Sequence, residues 1–183
     1  MNREFVWFYL YIMMVHNGMR PQDLAVLLKI SVSEKNWLNK DIAKAVNISP
    51  AEVGYSLQRS SIAGLIDGTK RKVMKDTLLE FISHGLPYVF PAVKGPTTAG
   101  IATAWSSPFM AGKFVSKEQL VWPFAKGKVR GGSINPLYPG AIEAVQTDGQ
   151  LYQLLALLDV MRIGRVREKE VAVKELERII KNV

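Results

Sequence analysis

The sequence contains no cysteine. Disulfide bridges and thiolate metal sites are therefore excluded, and nothing indicates an oxidising compartment, so a cytoplasmic location is expected. Histidine is scarce, since His16 and His84 are its two occurrences and lie far apart. No phosphate-binding loop, zinc-ligand spacing or nucleophile motif is present, and Glu118 is the one acid among residues 84–140. These absences predict that the protein is not an enzyme and uses neither a cofactor nor a metal.

No apolar run is long enough to cross a bilayer as a helix, which needs about 20 residues. The longest run is residues 5–15, and no small-residue cleavage site follows it. Its aromatic side chains would be sticky if exposed, so we expect them to be buried in a core or at a dimer interface. Met19 could also serve as the start, since a well-patterned helix begins just after it, and whether residues 1–18 belong to the functional fold is left open. No membrane association is expected.

The charge is strongly positive. There are 24 basic and 16 acidic residues, giving a formal net charge of +8. The excess is concentrated in residues 84–140, whereas residues 141–183 are balanced. A basic surface attracts polyanions such as nucleic acid, although it does not by itself identify one.

Helical signals fill the first half of the chain. Pro21 suits the first position of a helix, and leucines at helical spacing follow it. Asn39 is a good N-cap for a second helix, and Asn47 can end that helix in the left-handed conformation. Residues 69–83 predict a fourth helix.

The third predicted helix opens with a capping box. Ser49 caps it, Pro50 takes the first helical position, and Glu52 reaches back to the helix start. Val53 and Leu57 point inward, four residues apart. Together with the preceding helix and a tight turn, this pattern predicts a helix-turn-helix, in which one helix braces on the DNA backbone and the next lies in the major groove.

The same region resembles the winged helix-turn-helix of MarR-like bacterial transcriptional regulators. The resemblance covers residues 20–83 and is carried by 48–53, Leu57, Arg59 and 64–66. It implies a homodimeric, sequence-specific regulator of transcription that binds double-stranded DNA, with repression as the expected mode.

Two positions depart from that family pattern. Ser60 stands where such regulators usually have an apolar residue, and Ile62 where they usually have a polar one. No clear basic hairpin follows the third helix. The wing is therefore expected to be very short, or to be a hairpin of two strands predicted at 86–91 and 101–105, with its turn at residues 94–96.

Outward positions of the third helix and a following basic segment predict the DNA contacts. Gln58 can pair bidentately with adenine and Arg59 with guanine or phosphate, while Gly54 allows close approach. The basic segment would hold phosphates. The predicted DNA-binding residues are Ser49, Ala51, Glu52, Gly54, Tyr55, Gln58, Arg59, Lys70, Arg71 and Lys72.

The predicted fold class is mainly α with a small β component. Residues 1–83 would form a winged helix-turn-helix domain with an N-terminal apolar segment. Residues 84–183 would form a Pro/Gly-rich extension and a C-terminal helical hairpin broken at Gly164, packed on the first domain or dimerising. The final helix has an apolar seam that could pair with a second copy, like the segment 5–15. The seam residues are Val173, Leu176, Ile180 and Val183.

Two other functions fit the residues. The helical unit could serve protein contacts only, as in an antitoxin or adaptor whose main partner is another protein and whose DNA binding is autoregulatory. The mixture of aromatic and basic residues in the middle of the chain also suits single-stranded nucleic acid.

Overall fold

The first described helix, α1 (Pro21–Ser31), begins with its proline, as predicted. The structure is a computed structural model, and it describes residues 18–33, 36–110, 112–113 and 118–182. Asp23 accepts a 2.8 Å hydrogen bond from the backbone N–H of Arg20, which closes the helix start. Most side chains of α1 are buried, so this helix forms part of the core. The apolar segment 5–15 lies outside the described residues.

Helices α2 (Asn39–Val46) and α3 (Pro50–Ile62) are joined by a short turn. The sequence predicts Asn39 as the N-cap of α2, but Leu38 holds that position and Asn39 is the first helical residue. Asn47 ends α2 in the left-handed conformation, with φ at 51°, which confirms its predicted role.

A tight loop connects α3 to α4 (Lys75–His84). Its ends meet in an isolated antiparallel bridge between Ile66 and Val73. The sequence predicts that the fourth helix begins at residue 69, but α4 begins six residues later, at Lys75. The cause is Asp67, whose carboxylate accepts the backbone N–H groups four and five residues later and so holds the chain in a turn.

The hairpin predicted from strands at 86–91 and 101–105 is wrong. The first segment forms a short helix, α5 (Leu86–Val89), with a proline in its first turn. The turn predicted between the two strands lies inside strand β1 (Lys94–Ala102). Of the two segments considered for a wing, the hairpin is therefore absent, and the short loop after α3 is left.

Three strands form a small sheet that closes on itself. β2 (Leu120–Pro123) and β3 (Val129–Ile134) both pair antiparallel with β1, and they pair parallel with each other. This closure depends on glycine, since a Cβ built on Gly127 would lie 2.3 Å from backbone atoms of Gly100. The pairings join residues far apart in the sequence.

Helices α6 (Ala141–Val145), α7 (Gly149–Ile163) and α8 (Val166–Lys181) complete the described chain. Gly164 separates α7 from α8, which confirms the predicted break. The fold is mainly α-helical with a small β component, as predicted. Within the described ranges, no helix is at once long enough and apolar enough to traverse a bilayer.

The apolar seam of α8 packs inside its own chain. Leu176 and Ile180 are fully buried in the core, and Val173 packs partly buried against it. Val183 lies outside the described residues. The expectation that this seam is a dimer surface is therefore wrong for its described residues, because the chain already covers them.

One connected core contains side chains from both predicted domains, from Leu24 in α1 to Ile180 in α8. The segment after residue 84 thus packs on the segment before it. Helix α7 contributes a buried carboxylate, Asp159, whose oxygens accept bonds from Thr103 (2.7 Å), Trp122 (2.6 Å) and Arg162 (2.7 Å). Burial raises the pKa of Asp159, and the Arg162 charge and these hydrogen bonds oppose that rise. With both oxygens bonded, this group joins the sheet to α7 and has a structural role.

Candidate nucleic-acid interface

The start of α3 is fixed by local hydrogen bonding. Ser49 Oγ accepts the backbone N–H of Glu52 at 3.1 Å, and Pro50 occupies the first helical position, which confirms both predicted roles. The Glu52 side chain does not reach back as the capping box predicts. It accepts instead from Arg59 at 2.6 Å and from Gln22 at 3.0 Å, so it joins α3 to α1.

The inner side of α3 is packed in the predicted register. Val53 and Leu57 are buried in the core. Ser60 is fully buried as well, with its Oγ 4.0 Å from the sulfur of Met19, while Ile62 is 59% exposed. At the two positions that depart from the family pattern, a polar residue is therefore buried and an apolar residue is exposed. Neither departure ends the helix early.

The outer side of α3 is open to solvent. Ser49, Ala51, Tyr55 and Gln58 are exposed, and Tyr55 keeps 63% of its surface accessible. Gly54 is half-buried, and a Cβ there would meet one atom, an Asn39 amide nitrogen at 4.0 Å. Four predicted contact residues are therefore accessible to solvent at the start and along the outer side of α3.

Arg59 is the exception among the predicted contacts, and its predicted outward position is wrong. The residue is 7% exposed. Its Nε and Nη2 donate to the two carboxylate oxygens of Asp23 at 2.8 and 2.6 Å, in a bidentate pair. Asp23 is itself fully buried on α1, so it needs this cation, and Arg59 is held inside rather than presented to a partner.

The electrostatics of this cluster support a fixed geometry. The hydrogen bonds to Asp23 raise the pKa of Arg59, against the opposing effect of burial. Burial acts to raise the pKa of Glu52, but the hydrogen bonds from Arg59 and Gln22 outweigh it and leave that pKa below its usual range. Both groups remain charged at neutral pH, and together with Asp23 they lock the orientation of α3 against α1.

The loop 67–72 lies against the outer face of α3. Its conformation is set by Asp67, whose pKa is lowered to about 2 by hydrogen bonds from Lys72, Thr69 and Arg71. Lys70 adopts a positive φ of 58° and donates from its Nζ to the Gln58 side-chain oxygen at 2.5 Å. A cation of the loop is thus placed beside the polar side chain predicted to read a base.

The other two cations of this loop occupy different surroundings. Arg71 stacks its guanidinium 4.2 Å from the centre of the Trp37 ring and donates to the Trp37 carbonyl oxygen at 3.0 Å. Lys72 is exposed. Of the three predicted phosphate contacts, Lys72 is therefore exposed, Lys70 is half-buried and bonded to Gln58, and Arg71 also has a structural role.

A cleft of about 1040 Å³ lies beside the loop, between the end of α1 and the first turn of α4. Trp37, Met74 and Val73 supply apolar lining, and acidic and basic side chains are interspersed around them. The charges of the cleft therefore largely offset one another. Across the described ranges, no cluster of three or more potential metal-ligating side chains occurs.

Sequence reasoning missed the support that the turn between α2 and α3 receives from the extension. The Tyr138 hydroxyl donates to the Val46 carbonyl oxygen at 2.8 Å. Gly140 packs so closely that a Cβ there would lie 2.5 Å from the Asn47 carbonyl oxygen. Tyr138 and Gly140 stand in a Pro/Gly-rich stretch with no periodic pattern, so the one local signal was an aromatic residue that needed burial.

Comparison with known protein families, with curated proteins and with solved structures gives no match. The resemblance to MarR-like regulators therefore depends on the residues quoted for it, and it remains an interpretation of the sequence. The function of the site must follow from its own side chains.

Proposed function

We propose that the protein is a sequence-specific, double-stranded DNA-binding regulator of transcription, in which α2, the turn and α3 act as a helix-turn-helix. The bridge between Ile66 and Val73, with the loop it closes, would be a very short wing. The observation that carries the proposal is the contrast between the two sides of α3. Its inner side is fixed by a buried ion pair, whereas its outer side exposes polar and small residues with no described element covering them.

The chemistry of the outer face suits reading base edges. Gln58 can donate from its amide nitrogen, and its oxygen has a second lone pair besides the one that Lys70 occupies, so it can still pair bidentately with adenine. Ala51 and Tyr55 supply apolar contact area of the kind that recognises a thymine methyl group. Lys70 and Lys72 would contact phosphate at the groove edge.

The test is to select duplex DNA from genomic fragments with the purified full chain and to measure affinity for the selected sequence. Replacing Tyr55 and Gln58 by alanine should cost about 1–3 kcal/mol for each base that the variant no longer recognises. The matched control is the double variant Y88A/Q150A, because Tyr88 and Gln150 are also exposed but lie outside the proposed interface. Equal affinity of the two double variants for the selected sequence would refute the assignment.

A second candidate function, binding of a protein partner as in an antitoxin or adaptor, is favoured by one observation. Tyr55 and Ile62 are both more than half exposed on the same helix, and the outer face of α3 has no cation of its own. Apolar residues of this kind are typical anchors of protein interfaces. Ile62→Ser should weaken a stoichiometric protein complex while leaving the affinity for selected DNA nearly unchanged, and the reverse result would favour DNA alone.

A homodimer remains part of the proposal, because a single recognition helix reads too few base pairs to find one site in a genome. With the α8 seam buried, the remaining predicted surface is the apolar segment 5–15, which lies outside the described residues. Light scattering at micromolar concentration, with and without DNA, should give the mass of two chains. A variant lacking residues 1–18 should then be monomeric if this segment forms the interface.

A further inference from the structure

A cluster of exposed cations lies on and beside the sheet, away from α3. Lys126, Lys128 and Arg130 are all exposed, in and just before strand β3. None of the three forms an ion pair with another described residue. Lys94, by contrast, pairs with Glu118 at 2.6 Å, so its charge is compensated. We call β1 and β3 together with these three free cations the basic ribbon.

The face that carries Arg130 is open. Ala99 lies directly opposite Arg130 in the antiparallel register, and Thr97 lies opposite Gly132 one step along the same face. These neighbours are too small to cover a guanidinium group. A sugar-phosphate backbone can therefore approach Arg130 closely.

The proposed DNA-reading helix needs cations from elsewhere. Neutralisation of phosphates supplies much of the affinity of proteins for DNA. Arg59, the one cation in the sequence of α3, is buried in its pair with Asp23, and the loop 67–72 presents Lys70 and Lys72. The cleft beside that loop mixes both signs of charge, so it does not add a basic surface.

We propose that the basic ribbon binds the sugar-phosphate backbone of duplex DNA as a second contact surface, independent of sequence. The identity of the polyanion rests on the proposed function, while the presence of a polyanion-binding surface rests on the three free cations themselves. Because these contacts read no base, they would strengthen binding to every sequence alike.

The experiment measures the affinity of the full chain for a short duplex of unselected sequence over a series of salt concentrations. The test variant is K126Q/K128Q/R130Q. The control is R167Q/K169Q/K174Q on α8. It removes two lysine charges and one arginine charge, as the test variant does, and these residues also form no ion pair with another described residue. Each phosphate that is no longer neutralised should reduce the slope of log affinity against log salt by about 0.9, so the slope of the test variant should fall by up to about 2.7.

The control variant should keep the wild-type slope. An equal slope for the test and control variants would overturn the proposal. The single variant Lys128→Gln, with an expected reduction of about 0.9, provides the same comparison should the triple variant fold poorly. Binding of the wild-type chain to phosphatidylserine vesicles but not to duplex DNA would assign the ribbon to a membrane surface and overturn it as well.

A second duplex, carrying the selected sequence, separates this proposal from the proposed function. If the test variant keeps the wild-type slope while the wild-type chain prefers the selected duplex, the ribbon assignment is wrong and the α3 assignment stands. If the slope of the test variant falls but no sequence is preferred and Y55A/Q58A binds like wild type, the ribbon assignment stands and the α3 assignment fails.

Discussion

Replacing Arg59 by methionine should destabilise the folded protein, although the sequence assigned this residue to DNA contact. Asp23 is fully buried, and two of the three hydrogen bonds that its carboxylate accepts come from Arg59. The variant leaves that carboxylate buried without a counter-charge, for which the expected cost is about 3–5 kcal/mol. This is a large part of the roughly 5–15 kcal/mol that stabilises a typical domain.

Urea unfolding followed by far-UV circular dichroism at neutral pH measures the effect. With a slope of about 2 kcal/mol per molar urea, the midpoint should fall by about 2 M. Arg59→Lys should lie between the variant and wild type, because it keeps the charge but loses the bidentate geometry. The control Arg167→Met removes an exposed cation of α8 and should change the free energy of unfolding by less than about 0.5 kcal/mol.

A double variant separates the ion pair from simple loss of packing. D23M/R59M removes both charges and should recover much of the stability lost in R59M, since buried pairs are often replaced by apolar residues at little cost. The reasoning is refuted if R59M costs less than about 1 kcal/mol. It is equally refuted if R59M keeps its stability but loses affinity for selected DNA, because Arg59 would then face the partner.

Three further outcomes are expected. Gly140→Ala should cost about 1–3 kcal/mol, seen as a lower calorimetric midpoint, because its Cβ would meet a turn carbonyl oxygen at 2.5 Å, whereas Gly149→Ala has open space and should not lower it. Asp67→Asn should speed tryptic cleavage at the basic residues of the loop, because its ionised carboxylate organises that loop, while the exposed Asp76→Asn should not. The folded-state pKa of Glu52 is lowered, so its contribution is complete above the unfolded pKa near 4.5 and is lost as the pH falls through the folded value. Unfolding of Glu52→Gln should therefore depend less on pH below about 5 than that of wild type, and an identical pH profile would contradict this.

Local signals explain why much of α3 could be predicted. Ser49 and Pro50 act within one helical turn, and the inward spacing of Val53 and Leu57 depends on helix geometry alone. The position of Arg59 depends instead on the Asp23 carboxylate, 36 residues earlier in the chain. The spacing of residues within α3 carries no information about that contact. The helix and its exposed side could therefore be predicted, whereas the position of Arg59, which a distant charge draws inward, could not.

The extension was harder to predict for a related reason. The closed sheet pairs Gly100 with both Pro123 and Val129, so β1 depends on strands that follow it at a distance. Pro87 lies in the segment predicted as a strand, but it occupies the first turn of the short helix α5. Fold class followed from composition and periodicity, whereas strand positions required contacts that exist only after folding.

The support that Tyr138 and Gly140 give to the turn between α2 and α3 has a consequence for how tightly this surface can bind. Ordering a flexible residue costs about 1–2 kcal/mol of backbone entropy, and a mobile turn would impose that cost each time a partner docked. In this protein the turn is already ordered when the chain folds, since Tyr138 and Gly140 of the extension contact it. If α3 binds a partner as proposed, Tyr138 and Gly140 would contribute to affinity through preorganisation. A random mutagenesis screen for weakened binding should accordingly recover substitutions at these two positions as well as on α3, and the extension variants should differ from wild type in binding entropy rather than in binding enthalpy.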